Sequence, residues 1–372
     1  MGMVFIGIVS VLLYGALVYY VGWSSWSLFR PKESPYKRKI KILYIITLTI
    51  VSTSFIVGRV FGFVLFNILG AYWMAVFYLL LIILPVVHLS VWLLQLTRVP
   101  RHRVEKWAGV VTFILVIGLI SYGSYNAYSP VVSSYQMNID KPAGDIGELN
   151  VVMASDMHFG LLSNRDHAER LVKEINLLQP DIVLFPGDVF DDDIDQYIQQ
   201  EIDEVMDGIK STYGVYASLG NHDKYEGTME ELITVLEDSD IEVLYDEAML
   251  IENSLTIVGR KDLTENDRLS VPALMDGVDM TKPIIMLDHQ PYELDIAQQN
   301  GIDLLVAGHT HRGQVFPGNL ITSKVYEVDW GYLQKEQLHT VVSSGYGFWG
   351  PPIRLGSRSE IVQITVTFAQ QG

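Results

Sequence analysis

Four apolar stretches crowd the first third of the chain: Met3–Val21, Ile42–Gly58, Gly70–Leu96 and Trp107–Tyr122. Each approaches or exceeds the roughly 20 residues that a helix needs to cross ~30 Å of hydrocarbon. In lipid a backbone must satisfy its own polar groups, so four spanning helices are predicted. The first stretch lacks the basic start and small-residue cleavage site of a signal peptide and reads as a retained anchor. Pro85 should kink the third span, which membranes tolerate. Arg59 sits near a span end and should snorkel to the headgroups.

Basic residues in the short loops give an orientation. Arg30, Lys32, Lys37, Arg38, Lys39 and Lys41 lie between the first and second spans, and Arg98, Arg101, Arg103 and Lys106 between the third and fourth. The loop between the second and third spans has only Arg59. Both basic loops are therefore expected on the cytoplasmic side. The amino terminus and everything after Tyr128 then face the other side, and the later half of the chain is expected to be extracytoplasmic.

Charge divides the chain at the same place. Residues 149–372 hold 14 Lys and Arg against 38 Asp and Glu, a net −24, whereas residues 1–148 carry +7 of the chain's total −17. So acidic a unit is a poor partner for nucleic acid, which rewards clustered Lys and Arg. The absence of cysteine excludes disulfides and thiolate metal sites. The expected organisation is a transmembrane region over residues 1–125, a connector over 126–148 with the edge strand "VVSSYQMNI", and a soluble domain over 149–372.

Within the soluble domain apolar strands alternate with amphipathic helices. "LNVVMAS", "DIVLFPG", "GVYASLG", "PIIMLDH" and "IDLLVAGH" read as strands. "SNRDHAERLVKEINLL" reads as a helix opened by a Ser cap, with further helices near "QEIDEVMDGIKS", "TMEELITVLEDS" and "YELDIAQQNG". "IEVLYD", "AMLIEN" and "LTIVGR" are further strand candidates, and everything from Gly313 onward reads as strand-rich. The expected class is α/β, with sheets covered by helices.

Five of these strands end in polar clusters: "SDMHFG" with Asp156 and His158, "PGDVFDDD" with Asp188 and Asp191, "GNHD" with Asn221, His222 and Asp223, "LDHQP" with His289, and "GHTH" with His309 and His311. Ligands of open α/β sheets gather at the carboxyl ends of strands. The endings would thus deliver two Asp, one Asn and four His to one place, with His222 beside them. Imidazole and carboxylate without thiolate suit Mn, Fe or Zn. Seven ligands exceed one ion's usual needs, and two ions ~3.5–4 Å apart form the clamp used for displacement at phosphorus. Asp188, on the central strand, is the candidate bridge. Asn221 offers a neutral oxygen that limits negative charge around a bridging hydroxide.

The series D-x-H, G-D-x-x-D, G-N-H-D, a lone strand-end His and G-H-x-H resembles the calcineurin-like metallophosphoesterase superfamily. Membrane-tethered members resemble this chain most, down to the tail "GYGFWGPPIRLG". The resemblance covers about Leu149 to Phe368. It implies a four-layer α/β/β/α sandwich, here preceded by an all-α four-helix transmembrane bundle, and a site with two divalent metal ions. Asp156, His158, Asp188 and His311 would hold one ion, and Asp188, Asn221, His289 and His309 the other. His222 would protonate the leaving oxygen, with Asp223 orienting it and Asp191 behind the ligands. Asp288 stands where such proteins often carry a smaller residue, and would alter charge near the substrate.

The function expected is a membrane-anchored phosphoesterase in which a metal-bridging hydroxide attacks a phosphoester or pyrophosphate. Its partners would be the bilayer and a phosphoester substrate, the latter lipid-linked because four spans exceed what a tether needs. Two rival readings are a non-catalytic membrane receptor or scaffold on the same fold, and a nuclease, which the acidic domain disfavours. The run Asp191 to Asp195 reads as a solvated acidic loop. Arg260, Arg312 and Arg354 could face phosphate or form structural ion pairs. Tyr346, Phe348 and Trp349 are expected to pack under the sandwich.

Overall fold

The computed structural model describes residues 2–29, 34–191, 194–223 and 229–370. It divides into two compact units, Met1–Gly123 with Gly350–Pro352, and Ser124–Trp349 with Ile353–Gly372. Four helices build the first: α1 (Gly2–Phe29), α2 (Lys37–Phe61), α3 (Val64–Leu94) and α4 (Arg101–Tyr128), whose last residues belong to the second unit. All four are long and apolar enough to cross a membrane. Each overlaps one predicted span, and three extend past it at both ends. The basic flanks such as Lys37–Lys41 are good helix formers and add turns that hydropathy alone does not mark. Helix α3 runs on through Pro85. Arg59 lies exposed in the last turn of α2, while Arg30 and Lys32 lie outside the described residues. The Tyr14 hydroxyl donates to the Ser52 carbonyl at 2.7 Å and accepts the Trp73 indole N–H at 2.9 Å, joining α1, α2 and α3.

The second unit holds twelve strands among the described residues: β1 (Val131–Ile139), β2 (Glu148–Met153), β3 (Ile182–Pro186), β4 (Val215–Ser218), β5 (Ile241–Val243), β6 (Glu247–Ile251), β7 (Leu255–Gly259), β8 (Ile284–Leu287), β9 (Leu304–Ala307), β10 (Gly331–Lys335), β11 (Leu338–Val342) and β12 (Glu360–Phe368). They form two six-stranded sheets, ordered β1-β12-β2-β3-β4-β5 and β10-β11-β9-β8-β7-β6. Strands β2 to β5 run parallel, as do β7, β8, β9 and β11. The edge strand expected in the connector is β1, paired parallel to β12.

Side-chain alternation explains the layering, because successive residues of a strand face opposite sides. Val151 and Met153 of β2, Ile182 and Leu184 of β3, Ile285 and Leu287 of β8, and Leu304 and Val306 of β9 share one core between the two sheets. Their neighbours turn outward. Val152, Val183 and Phe185 pack with Leu171 and Ile175 of α5 (Arg165–Leu177) on one side. Ile284, Met286 and Leu305 pack with Leu274, Leu294 and Ala297 of short helices on the other. Helix, sheet, sheet and helix layers follow, which is the four-layer α/β/β/α arrangement.

One sequence expectation changes and another is extended. The cap of α5 is Asn164, whose side chain accepts the His167 N–H, one residue beyond the expected Ser163. Ser163 is drawn away, because its hydroxyl donates to the Met157 carbonyl at 2.8 Å. The stretch after Gly313 is strand-rich as expected, with β10, β11 and β12, but it also contains the helix Gly318–Val325. Eight residues opened by Gly318 after Pro317 carry too little pattern to mark a helix.

Leu184 is fully buried in the inter-sheet core on the central strand β3. Leu184→Ala should therefore cost about 2–5 kcal/mol by lost transfer energy and the cavity it leaves. Proteolysis of the full-length protein across a urea series should show that loss, while Leu177→Ala on the exposed side of α5 should leave the midpoint within error.

Candidate metal centre

Every predicted ligand group sits two or three residues beyond a parallel strand. Asp156 follows β2, Asp188 follows β3, Asn221 follows β4, His289 follows β8 and His309 follows β9. The sharp exits are visible in the backbone. Asp156, His158, Asp188, His309 and His311 all have φ between 45° and 69°. Left-handed backbone is uncommon for non-glycine residues and clusters at functional sites. The exits are also crowded. A Cβ on Gly220 would lie 2.6 Å from the Asp188 backbone nitrogen, and one on Gly308 would lie 2.2 Å from Asp156 Oδ2. The glycine opening "GNHD" and the one opening "GHTH" are thus required by the neighbouring motif, not only by their own turns.

Two groups of candidate ligands form at the sheet ends. Asp156, His158 and His311 bring ligand atoms within 4.8 Å of one another, and so do Asp188, His289 and His309. Asp188 lies between them, with Oδ2 3.0 Å from His289 Nε2 and 3.7 Å from His158 Nε2. Backbone amides hold the carboxylates in place. The His309 N–H donates to Asp156 at 2.9 Å, and the His222 N–H donates to Asp188 Oδ1 at 2.8 Å. Burial alone would raise the Asp188 carboxyl, but the imidazoles of His289, His158 and His222 hold it well below the usual carboxylate range. Burial likewise opposes charge on His289. The Asp188 carboxylate more than offsets it and pushes that imidazole up to about 10.

The donor set fits divalent ions. His289 Nδ1 lies 2.9 Å from the Pro186 carbonyl, to which it donates, so in the neutral ring the Nε2 lone pair faces the Asp188 carboxylate. Two acceptors at 3.0 Å repel unless a proton or cation lies between them. The Nε2 atoms of His158 and His311 face each other at 3.1 Å, and Asn221 Oδ1 is buried without a protein partner. The imidazoles of His158, His311 and His289 thus gather around the carboxylates of Asp156 and Asp188. Nitrogen and oxygen donors without sulfur are what Mn, Fe and Zn accept.

His158, Asp191 and His222 make a third group with donor atoms within 4.8 Å. Asp191 Oδ1 lies 3.6 Å from His158 Nδ1, on the side of the ring away from Asp188, where a carboxylate orients a ligating imidazole. Asp192 and Asp193 of the acidic run lie outside the described residues. The His222 ring sits 5.1 Å from that of His158 and 5.8 Å from that of Trp349. Asp223 is buried next to His222 in the loop after β4. Its two oxygens accept the Phe190 N–H at 2.9 Å and the Gly220 N–H at 2.8 Å, so it braces the loops after β3 and β4 and steadies His222 through the backbone. Burial, aided by the Asp188 charge, pushes its carboxyl up to about 7.

Several neighbours are not marked by any motif. Arg354 is fully buried, and its guanidinium donates to the Gly345 and Gly347 carbonyls, with Nη2 3.1 Å from His311 Nδ1. It clamps the His311 ring from behind. Arg260 and Arg268 pair with Asp288 at 2.8 and 2.6 Å, so the extra charge expected near the substrate is neutralised inside the fold. Arg312 stacks on Trp330, 3.9 Å above the ring. Tyr346 and Phe348 are buried as expected, but Trp349 is exposed beside His222. On the opposite flank the Tyr326 ring lies 6.2 Å from that of His309. Beyond it a cavity of about 310 Å³ is lined by Tyr292, Glu293, Asp295, Val325, Tyr326 and Glu327. The tail "GYGFWGPPIRLG" was a partial signal for Trp349 and Arg354; nothing local points to Tyr326.

Comparison with known proteins agrees with this geometry. The calcineurin-like phosphoesterase family model matches residues 149–313. An uncharacterized metallophosphoesterase of Aquifex aeolicus is 31% identical over 265 residues, covering 68% of this chain and 98% of that one. A transmembrane protein with metallophosphoesterase domain from Danio rerio is 30% identical over 273 residues, covering 69% and 62%. An uncharacterized metallophosphoesterase of Helicobacter pylori is 28% identical over 271 residues, covering 71% of each chain. With its strand-end ligand groups and these relatives, the chain belongs to the calcineurin-like metallophosphoesterase family.

Proposed function

We propose that the chain is a membrane-anchored phosphoesterase working with two divalent metal ions. The observation that carries the reading is the place of Asp188, one carboxylate between two imidazole groups at 3.0 and 3.7 Å. Asp156, His158, Asp188 and His311 would hold one ion, and Asp188, Asn221, His289 and His309 the other. Bound there, the ions would supply positive charge to the phosphoryl oxygens and acidify a water molecule.

The remaining work falls to the chain's own residues. His222 is fixed by its backbone bond to Asp188 and by the loop that Asp223 braces. Its imidazole would give a proton to the leaving alkoxide, a task suited to a group that titrates near neutral pH. Asp191 would orient His158, and Arg354 would orient His311. Trp349 and Tyr326 would line the path of the group attached to phosphorus. The basic loop residues support a non-cytoplasmic side for this unit, and the four candidate spans favour a substrate whose phosphate lies at headgroup depth, a lipid-linked phosphoester or pyrophosphate.

Metal content, turnover and topology test the reading. Asp188→Asn should lose one or both ions, since a shared charged ligand supports both; elemental analysis showing two ions with normal turnover would remove Asp188 from the bridge. His222→Ala should keep the ions and slow hydrolysis of alkyl phosphoesters about 10²–10⁴-fold, the usual range for general acid catalysis. Activated aryl esters, whose leaving groups need little protonation, should suffer far less. Equal losses across leaving groups would exclude the acid role. A reporter fused after Phe368 should behave as extracytoplasmic and one inserted at Lys37 as cytoplasmic; the reverse pattern would overturn the orientation.

A further inference from the structure

We propose that the outward face of the Gly318–Val325 helix, together with Phe316, is a bilayer-docking surface that presents the metal centre to phosphates at headgroup depth. The substrate part of this statement rests on the phosphoesterase reading above, and the docking part does not. Helices on globular units normally turn their apolar stripe inward. This one is reversed. Leu320, Ile321 and Val325 are 53%, 63% and 55% exposed, and Phe316 just ahead of the helix is 54% exposed. Two of its polar residues face the protein instead: Asn319 and Thr322 are half-buried, and the Thr322 hydroxyl donates to Asp329 at 2.6 Å, while Ser323 and Lys324 are exposed with the apolar side chains. No residue of the helix is buried. Elsewhere in this unit exposed apolar side chains come singly, as Leu177, Ile198 and Leu250 do, or in pairs, as Leu263 with Leu269 and Trp330 with Tyr332. Four within ten residues make a patch, and patches mark interfaces.

The chain itself says what covers the patch. Only Ser129 and Pro130 separate the end of α4, a candidate span, from the first strand of the catalytic unit. Two residues reach at most ~7 Å, so the chain enters this unit without a long stalk after the candidate span. Charge excludes an electrostatic mode. The domain of residues 149–372 carries −24, and the helix offers a single cation, Lys324. Docking must then come from apolar side chains entering the headgroup boundary, as an interfacial helix does. The patch also borders the site. The helix begins five residues after Gly313, directly downstream of His309 and His311, and ends at Val325, which lines the 310 Å³ cavity with Tyr292 and Tyr326. A lipid entering at the patch edge meets that cavity and then His309.

The chain has no cysteine, so single cysteines can be introduced and labelled in the full-length protein. Ile321→Cys and the control Leu250→Cys, each carrying an environment-sensitive nitrobenzoxadiazole dye, would be placed in phosphatidylcholine nanodiscs containing lipid doxyl-labelled near the headgroup. The 321 label should shift to shorter wavelength and be quenched by the doxyl lipid, the 250 label should stay aqueous, and added phosphatidylglycerol should not strengthen the effect. Aqueous emission at 321 overturns docking. A shift without doxyl quenching means burial against protein, either a second copy or the chain's own helices, and overturns it equally. The substrate arm uses Leu320→Ser combined with Ile321→Ser. Hydrolysis of water-soluble bis(p-nitrophenyl) phosphate should stay within about twofold, while turnover of a headgroup-labelled phospholipid in the same nanodiscs should fall about tenfold, as local concentration is lost. Unchanged phospholipid turnover overturns the link to substrate. If the unmutated protein hydrolyses neither ester, the phosphoesterase reading and the substrate link fail together, while the labels still decide docking.

Discussion

The whole site depends on a seam between two sheets. Apolar residues of β2, β3, β8 and β9 pack the sheets face to face, and that packing brings the end of β3 against the end of β8. There His289 donates from Nδ1 to the Pro186 carbonyl at 2.9 Å and turns Nε2 toward Asp188 at 3.0 Å. One imidazole carried by the β8 sheet thus holds both the last carbonyl of β3 and the ligand loop that follows it in the neighbouring sheet. Gly187 has no room for a side chain, because a Cβ would stand 2.5 Å from His289 Nδ1. The inter-sheet core therefore sets more than stability. Shifting either sheet would separate the two halves of the ligand set.

How much of this was legible depends on the distance over which each feature is encoded. The five motifs were readable because a strand and its polar ending are adjacent in sequence, so Asp156, Asp188, Asn221, His289 and His309 could be placed from local pattern. Unbroken apolar runs also located the strands, since both faces of β3 and β8 are buried. Features made by contacts across the fold were hidden. Arg354 reaches His311 from 43 residues away, and Arg268 reaches Asp288 from 20. Arginine at either place reads equally as a phosphate ligand or a structural pair. Asp223 was visible as part of "GNHD", but its bonds to Phe190 and Gly220 are not. The Gly318–Val325 helix escaped because eight residues, opened by a glycine and including β-branched Ile321, Thr322 and Val325, carry little helical signal.

The charges that did not join the site were drawn into the scaffold around it. Asp288 directly precedes His289 and is buried, yet Arg260 and Arg268 balance it from the β7 side. Removing one partner of such a buried group is far more damaging than replacing the whole set, because the other charge is left unpaired. Arg354, on the opposite side, spends its donors on Gly345, Gly347 and the His311 ring. Both arrangements keep strong charges close to the ligands without pointing them at the space where phosphate would sit. Positive charge for a phosphoryl group is then left to the ions.

Backbone geometry shows why that division is stable. Left-handed residues cost on the order of 1–3 kcal/mol each when nothing compensates, and five of the seven candidate ligands adopt that conformation. Amide donors offset part of it: the His309 N–H serves Asp156, the His222 N–H serves Asp188, and the amides of Phe190 and Gly220 serve Asp223. Each ligand carboxylate is thus oriented by main chain on one side and offers its remaining lone pairs to the imidazoles on the other. Each proposed ion would meet two imidazole nitrogens and two oxygens, with Asp188 shared. The two sets would differ in Asn221, a neutral oxygen where the other has the charged Asp156, and in the groups behind the imidazoles: Asp191 and Arg354 on one side, the Pro186 carbonyl on the other.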